Sequence, residues 1–232
     1  MESSAPLRIP TRLAGACRAA PERAAWLASV PQLVRELEQR WSLKLGSPFD
    51  GPDISCARVA PAVRSDGNAA VLKLGMPHFE GEQEIAGLRF WNGDPTVRLL
   101  EADDGLNAML LERCEPGESL RVLREQEQDT VIASLLRRLW RKLAPSHGFR
   151  PLVDMLAYWS EASLFAADRW TDAGLVRKGL RLFQELPATA TDEALLATDL
   201  HAGNVLGAQL ERGGNGSEHS LGERERIDSP GA

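Results

Sequence analysis

Ala70-Val71-Leu72-Lys73-Leu74-Gly75 sets one lysine inside an otherwise apolar run, and that placement governs how the surrounding chain is read. The run has the aliphatic, β-branched content of a strand, so Lys73 must carry its ammonium off the sheet face, toward a cleft or a counter-charge. A lysine whose stem lies along apolar surface and whose head reaches solvent satisfies the same pattern. Upstream, residues 56–75 are small and β-branched around Ser65-Asp66-Gly67-Asn68. Asp-Gly supplies the positive-φ positions of a tight turn there, which predicts two antiparallel strands. Downstream, residues 79–91 read as a helix with Ile85, Leu88 and either Phe90 or Trp91 inward, closed by Asn92-Gly93 and Pro95. Glu84 lies on that helix eleven residues after Lys73, with Glu80 and Glu82 beside it; helix phase alone does not choose between Glu84 and Glu82. A second hairpin is expected from residues 97–102 and 108–111, parted by Asp103-Asp104-Gly105.

Further out, Trp26, Val30, Leu33, Leu37 and Trp41 form one helical stripe, within which Pro31 is expected to start a second helix. Past Pro116-Gly117 the pattern turns helical. Val131, Leu135, Leu136, Leu139 and Leu143 make one stripe, and Leu152, Met155, Leu156 and Trp159 begin another. Strands with one helix first, then helices, describe an α+β chain in two lobes. The expected divisions are a helical N-terminal extension (1–45), a sheet lobe (46–115), a helical lobe (116–210) and a tail (211–232). The tail holds five glycines and only Leu221 and Ile227 as large apolar residues, too little burial to offset its ordering entropy, so it is expected to be disordered.

The composition is that of an ordinary globular protein: 232 residues, 43% hydrophobic and 26% charged, which excludes fibrous and wholly disordered classes. No apolar run reaches the length of about 18 residues that a membrane helix needs. Residues 1–20 carry Arg8, Arg12 and Arg18 in place of an apolar leader core, so no secretory signal is expected. Cys17, Cys56 and Cys114 are far apart and lack metal-ligand spacing, which points to a reducing, cytoplasmic setting without disulfides. A net charge of −6 gives no basic footprint for nucleic acid.

Asp199-Leu200-His201-Ala202-Gly203-Asn204 is the segment richest in chemistry. A carboxylate and a carboxamide five residues apart on a glycine-containing loop can converge, the first accepting a hydroxyl proton and the second ligating a hard metal ion. An Asp N-cap and an Asn turn residue satisfying backbone N–H groups would leave the same spacing.

In order along the chain, AVLKLG (70–75), EGEQEIAGLRFWNGDPTVRLLEAD (80–103), AMLLERCEPGESL (108–120) and TDLHAGNVL (198–206) together resemble the aminoglycoside and hydroxyurea phosphotransferase family. The likeness is to its streptomycin-type branch, within the protein-kinase-like two-lobe fold, and covers roughly residues 20–207. It implies an ATP- and Mg²⁺-dependent transfer of phosphate to an alcohol group of a small antibiotic, conferring resistance. By the same resemblance Lys73 holds ATP phosphates, Glu84 orients it, and the hinge at 111–114, with Glu112, Arg113 and Cys114, offers its backbone to adenine. Asp199 is then the catalytic base, Asn204 a Mg²⁺ ligand and His201 a brace for the loop.

Three departures from the family pattern stand out. Ala197-Thr198 replaces the His-Gly that usually precedes the aspartate, setting a β-branched residue where unusual dihedrals are expected. No G-x-G-x-x-G precedes the lysine strand; residues 49–55 occupy its place. The family's second metal-binding aspartate on an apolar strand is missing, and the only later aspartate, Asp228, comes 24 residues after Asn204. The chain is therefore expected to be truncated, and an inactive module that only binds nucleotide or drug stands as the alternative.

Overall fold

The computed structural model describes residues 7–18, 20–51, 54–166, 169–209 and 223–227. The chain divides into two compact units, one of residues up to 139 together with those from 197 on, the other of residues 140–196.

The first unit is built on an antiparallel sheet. Helices α1 (Thr11–Cys17) and α2 (Pro21–Arg40) precede strands β1 (Leu43–Leu45), β2 (Ala57–Arg64) and β3 (Ala69–Gly75). Helix α3 (Glu84–Trp91) then leads into β4 (Leu99–Asp103) and β5 (Ala108–Glu112). The strand order β1-β2-β3-β5-β4 puts the lysine strand at the centre. The β2–β3 turn follows the sequence: Gly67 takes a φ of 85°, and the Asp66 carboxylate accepts the Asn68 N–H at 3.0 Å. Period-two alternation decides which way each β3 side chain faces. Leu72 and Leu74 pack with Val30, Val34 and Leu37 of α2, whereas Val71 packs on the opposite cluster of Ile85, Leu88, Met109 and Leu111. Lys73 shares the face of Val71 and so turns toward α3.

Helix α2 runs unbroken through Pro31, where the sequence suggests a second start. An internal proline forfeits one hydrogen bond and crowds the preceding turn, at a cost of about 3 kcal/mol. Val30, Val34 and Leu37, buried against the sheet on both sides of it, hold the helix together. Residues 79–81, expected as helix, tighten into one 3-10 turn, and α3 closes on Asn92 in the left-handed region at φ 48°. Of the two candidate inward aromatics it is Trp91 that is buried, its indole N–H donating to the Leu139 carbonyl oxygen at 3.0 Å.

Beyond β5 the chain does not turn helical at once. Strand β6 (Pro116–Ser119) comes first, then helix α4 (Glu125–Leu139), which buries Leu135 and Leu139. β6 pairs with β7 (Val205–Gln209), and β7 pairs with β8 (Glu223–Ile227), making a second antiparallel sheet. β8 lies inside the stretch read from composition as a disordered tail. Its ladder to β7, with Ile227 opposite Val205, supplies order through backbone hydrogen bonds that apolar content does not report. Residues 210–222 and 228–232, Asp228 among them, lie outside the described residues.

In the second unit α5 (Leu152–Phe165) and α6 (Ala173–Ala188) pack on one another. Asp172 caps α6, its carboxylate accepting the Leu175 N–H at 2.9 Å. The units divide at 139/140 and 196/197, whereas composition suggests 115/116, so the loop at 199–204 belongs with the sheet. Among the described residues no helix is long and apolar enough to cross a membrane.

Candidate active site

Lys73 reaches from the central strand to α3, where its Nζ donates to Glu84 Oε1 at 2.7 Å. The lysine side chain is 11% exposed and the glutamate 2%. Burying both charges carries a desolvation penalty that only close hydrogen-bonded geometry offsets, so neither is stable there without the other. Helix phase explains the choice of partner. Glu84, Gly87, Leu88 and Trp91 form the buried stripe of α3 at i, i+3, i+4 and i+7, while Glu82 is exposed on the turn before it.

Beside this pair lies a cavity of about 500 Å³, with Val59, Val71, Val97 and Leu206 among its walls and both Lys73 and Glu84 lining it. Glu112, Arg113 and Cys114 border it as well. The Glu112 carboxylate accepts the Arg98 N–H at 2.8 Å, which anchors this hinge to the segment before β4. The Arg113 Nε lies 3.8 Å from Glu115. At Gly117, φ is 73° and a Cβ would stand 2.7 Å from the Cys114 carbonyl oxygen, so glycine is required for the chain to leave the hinge into β6. Phe49, Gly51, Ile54 and Ser55, from the stretch that replaces a glycine-rich loop, also line the cavity. Pro52 and Asp53 lie outside the described residues.

Asp199 and Asn204 converge as their spacing suggests. The Asn204 Nδ2 donates to the Asp199 carbonyl oxygen at 2.8 Å and to its Oδ2 at 3.1 Å, which orients the amide with Oδ1 as its remaining oxygen. His201 Nδ1 accepts the Gly203 N–H at 3.0 Å, so the ring proton sits on Nε2, 3.8 Å from Asp199 Oδ1. The imidazole thus ties the loop to itself and faces the carboxylate. Positive φ among the described residues falls on Ser42, Asn92, Asn107, Gly67, Gly93 and Gly117, so Thr198 does not take the left-handed conformation that would strain a β-branched residue. Gly203 and Asn204 line the same cavity as Lys73. Two residues that sequence reasoning passed over also meet this loop. The Ser119 hydroxyl donates to the Ala202 carbonyl oxygen at 3.1 Å, and the Arg121 guanidinium lies against Gly203. Ser119 falls within AMLLERCEPGESL, yet nothing local marks it as touching a loop 83 residues away.

These residues fit a nucleotide. The cavity has the volume of a small-molecule site, apolar walls for a base and one buried lysine for phosphate. They also fit a small divalent cation, which takes hard oxygen ligands and is commonly held by one or two protein oxygens plus phosphates and water. Asn204 Oδ1 and the Asp199 carboxylate are such ligands. Among the described residues no group of three His, Cys, Asp or Glu side chains forms a metal cage.

A lysine on a central strand paired to a helix glutamate, and an Asp-to-Asn loop on the same cavity, define a phosphotransferase of the protein-kinase-like fold. Residues 40–214 match the aminoglycoside/hydroxyurea antibiotic resistance kinase family, and the chain belongs to it. A streptomycin 6-kinase of Streptomyces glaucescens is 38% identical over 220 residues, which cover 91% of this chain and 69% of that one. A hydroxyurea phosphotransferase of Kitasatospora aureofaciens is 38% identical over 193 residues, 80% of this chain and 55% of that one. Among solved structures, a Plasmodium vivax ethanolamine kinase shares the fold with a TM-score of 0.53 at 12% identity, covering 89% of this chain and 60% of that one. The chain thus spans between 55% and 69% of the length of these proteins.

Proposed function

We propose that the chain transfers the γ-phosphoryl group of ATP to a hydroxyl of an aminoglycoside antibiotic of the streptomycin type, with Mg²⁺ as the divalent cation, and thereby confers resistance. One observation carries the reading: the Lys73–Glu84 pair lines one cavity with Gly203 and Asn204, and Asp199 is hydrogen-bonded to that asparagine just behind the lining. Lys73, held by Glu84, meets the nonreacting phosphates, and the hinge at 111–114 receives adenine. Asp199 accepts the proton of the antibiotic hydroxyl as its oxygen bonds to the γ-phosphorus. The bond from that phosphorus to the β–γ bridging oxygen breaks, and ADP leaves. The Asn204 amide N–H holds Asp199 Oδ2 and so aims the carboxylate. A bound Mg²⁺ supplies neutralisation of phosphate charge, and Asn204 would hold it through Oδ1.

Asp228 is proposed as a second oxygen donor to that cation. What supports it is sequence order: Asp228 follows β8 as Asn204 precedes β7, the strand to which β8 pairs.

The test is mass spectrometry of streptomycin and hydroxyurea incubated with the purified chain and Mg-ATP. Phosphorylated streptomycin is expected, and Asp199→Asn lowers its rate by about 10²–10⁴-fold while nucleotide affinity stays within a small factor. No product from folded protein, or phosphorylated hydroxyurea alone, overturns the proposed acceptor. Asp228→Asn is expected to raise the Mg²⁺ concentration needed for half-maximal rate without weakening metal-free nucleotide binding. An unchanged Mg²⁺ dependence removes Asp228 from the site.

A further inference from the structure

We infer that Ser119 and Arg121 are positioning residues for phosphoryl transfer, clasping the loop that carries Asn204 to the segment that leaves the hinge. This rests on reading residues 199–204 as the transfer loop. Gly203 is the point of departure. It is not among the positive-φ glycines, so backbone conformation does not require a glycine there. Space does. A Cβ at Gly203 would lie 2.8 Å from Arg121 Nη2 and 2.9 Å from Arg121 Nε. With no side chain at Gly203, the guanidinium approaches the turn between Asp199 and Asn204 without having to shift.

Ser119 brings the arginine there. It ends β6 opposite Leu206 of β7, which sets it beside the turn at 202–204. Its hydroxyl donates to the Ala202 carbonyl oxygen at 3.1 Å, and its oxygen accepts the Arg121 N–H at 3.4 Å, capping the 3-10 turn Leu120–Val122 on which Arg121 stands. Loop residues 201–204 are therefore fixed on two sides. His201 and Asp199 hold Gly203 and Asn204 from within, and Ser119 and Arg121 hold Ala202 and Gly203 from the chain that begins at the hinge. Moving the clasp displaces the Asn204 amide relative to a nucleotide seated on that hinge. Phosphoryl transfer is mostly positioning and electrostatics, so such a displacement is felt in turnover before it is felt in binding.

A double-mutant cycle tests this. Arg121→Ala and Gly203→Ala are each expected to lower kcat by about tenfold or more, with KM for ATP nearly constant. Gly203→Ala acts by pushing out the guanidinium, so it should cost less once Arg121 is already alanine. The double variant should be faster than the product of the single effects predicts by about threefold or more. The coupling is partial because a Cβ at Gly203 also meets His201 Cε1 at 2.8 Å. Arg121→Lys should recover part of the loss. Strictly multiplicative effects, or KM rising in step with the fall in kcat, overturn the clasp. Amide hydrogen exchange over residues 202–206, measured on the chain without ligand, separates this proposal from the functional one. Faster exchange in Arg121→Ala and Ser119→Ala from a chain that phosphorylates nothing keeps the clasp and overturns the reaction. Unchanged exchange overturns the clasp whatever the activity.

Discussion

Lys73 and Glu84 stabilise the sheet as a pair and endanger it singly. Removing one partner strands a charge in apolar surroundings, which costs about 3–5 kcal/mol, whereas replacing both by apolar side chains of similar shape costs far less. Glu84→Gln is therefore expected to lower the urea midpoint sharply, and Lys73→Met with Glu84→Leu to recover much of it while abolishing nucleotide binding. Urea unfolding beside titration with a fluorescent ATP analogue checks both halves. A double variant that loses the sum of the single losses refutes the coupling. The lysine was legible in the sequence because an ammonium inside an apolar strand must find water or a counter-charge, and either takes it off the packed face. Its partner needed the phase of α3, which the sequence leaves open between Glu82 and Glu84. Ser119 and Arg121 left no trace, since what they touch is set by strand pairing across 83 residues.

Between elements, the clearest strap joins α3 to the turn between β4 and β5. Arg89 Nη1 and Nη2 each donate to one Asp104 carboxylate oxygen at 2.7 Å. The side chains are 50% and 63% exposed, so solvent screens the pair and its contribution stays within about 1 kcal/mol. Hydrogen bonding from Arg89 holds the Asp104 carboxyl below the usual aspartate range, with slight burial opposing it. A depressed carboxyl adds stability that is fully present above the unfolded value of about 3.9 and is lost as pH falls through the lower folded value. Asp104→Asn should thus be less stable than wild type at neutral pH, and the gap should close well below about pH 4. Denaturant midpoints at both pH values decide it; a gap that persists in acid assigns the loss to packing. The first hairpin and the end of α3 were legible because Asp66-Gly67 and Asn92-Gly93 set positive φ locally, at Gly67, Asn92 and Gly93, whereas in the second turn the positive φ falls on Asn107 and not on Gly105. β6 and β8 were not, because Pro-Gly-Glu-Ser and Glu-Arg-Glu-Arg-Ile have no strand pattern apart from β7. Pro31 misled for the opposite reason, a strong local signal overridden by burial on the sheet.

At the scale of the whole chain, composition drew its boundary where strands give way to helices, yet the compact units divide elsewhere because β7 returns to pair with β6. Every described residue that lines the cavity belongs to the first unit. Ligand linkage therefore acts on that unit. ATP at a hundredfold excess over its Kd adds about 2.7 kcal/mol to any opening that destroys the cavity and nothing to an opening that spares it. Native-state hydrogen exchange reads this amide by amide. With saturating Mg-ATP, the slowest amides of β3, β5 and α3 should slow by about a hundredfold, the factor that energy represents. Amides of α5 and α6 should keep their rates, since none of the described lining residues falls within 140–196. Equal slowing in α5 and α6 would mean that the two units open only together, and that the stability of the second is borrowed from the site in the first.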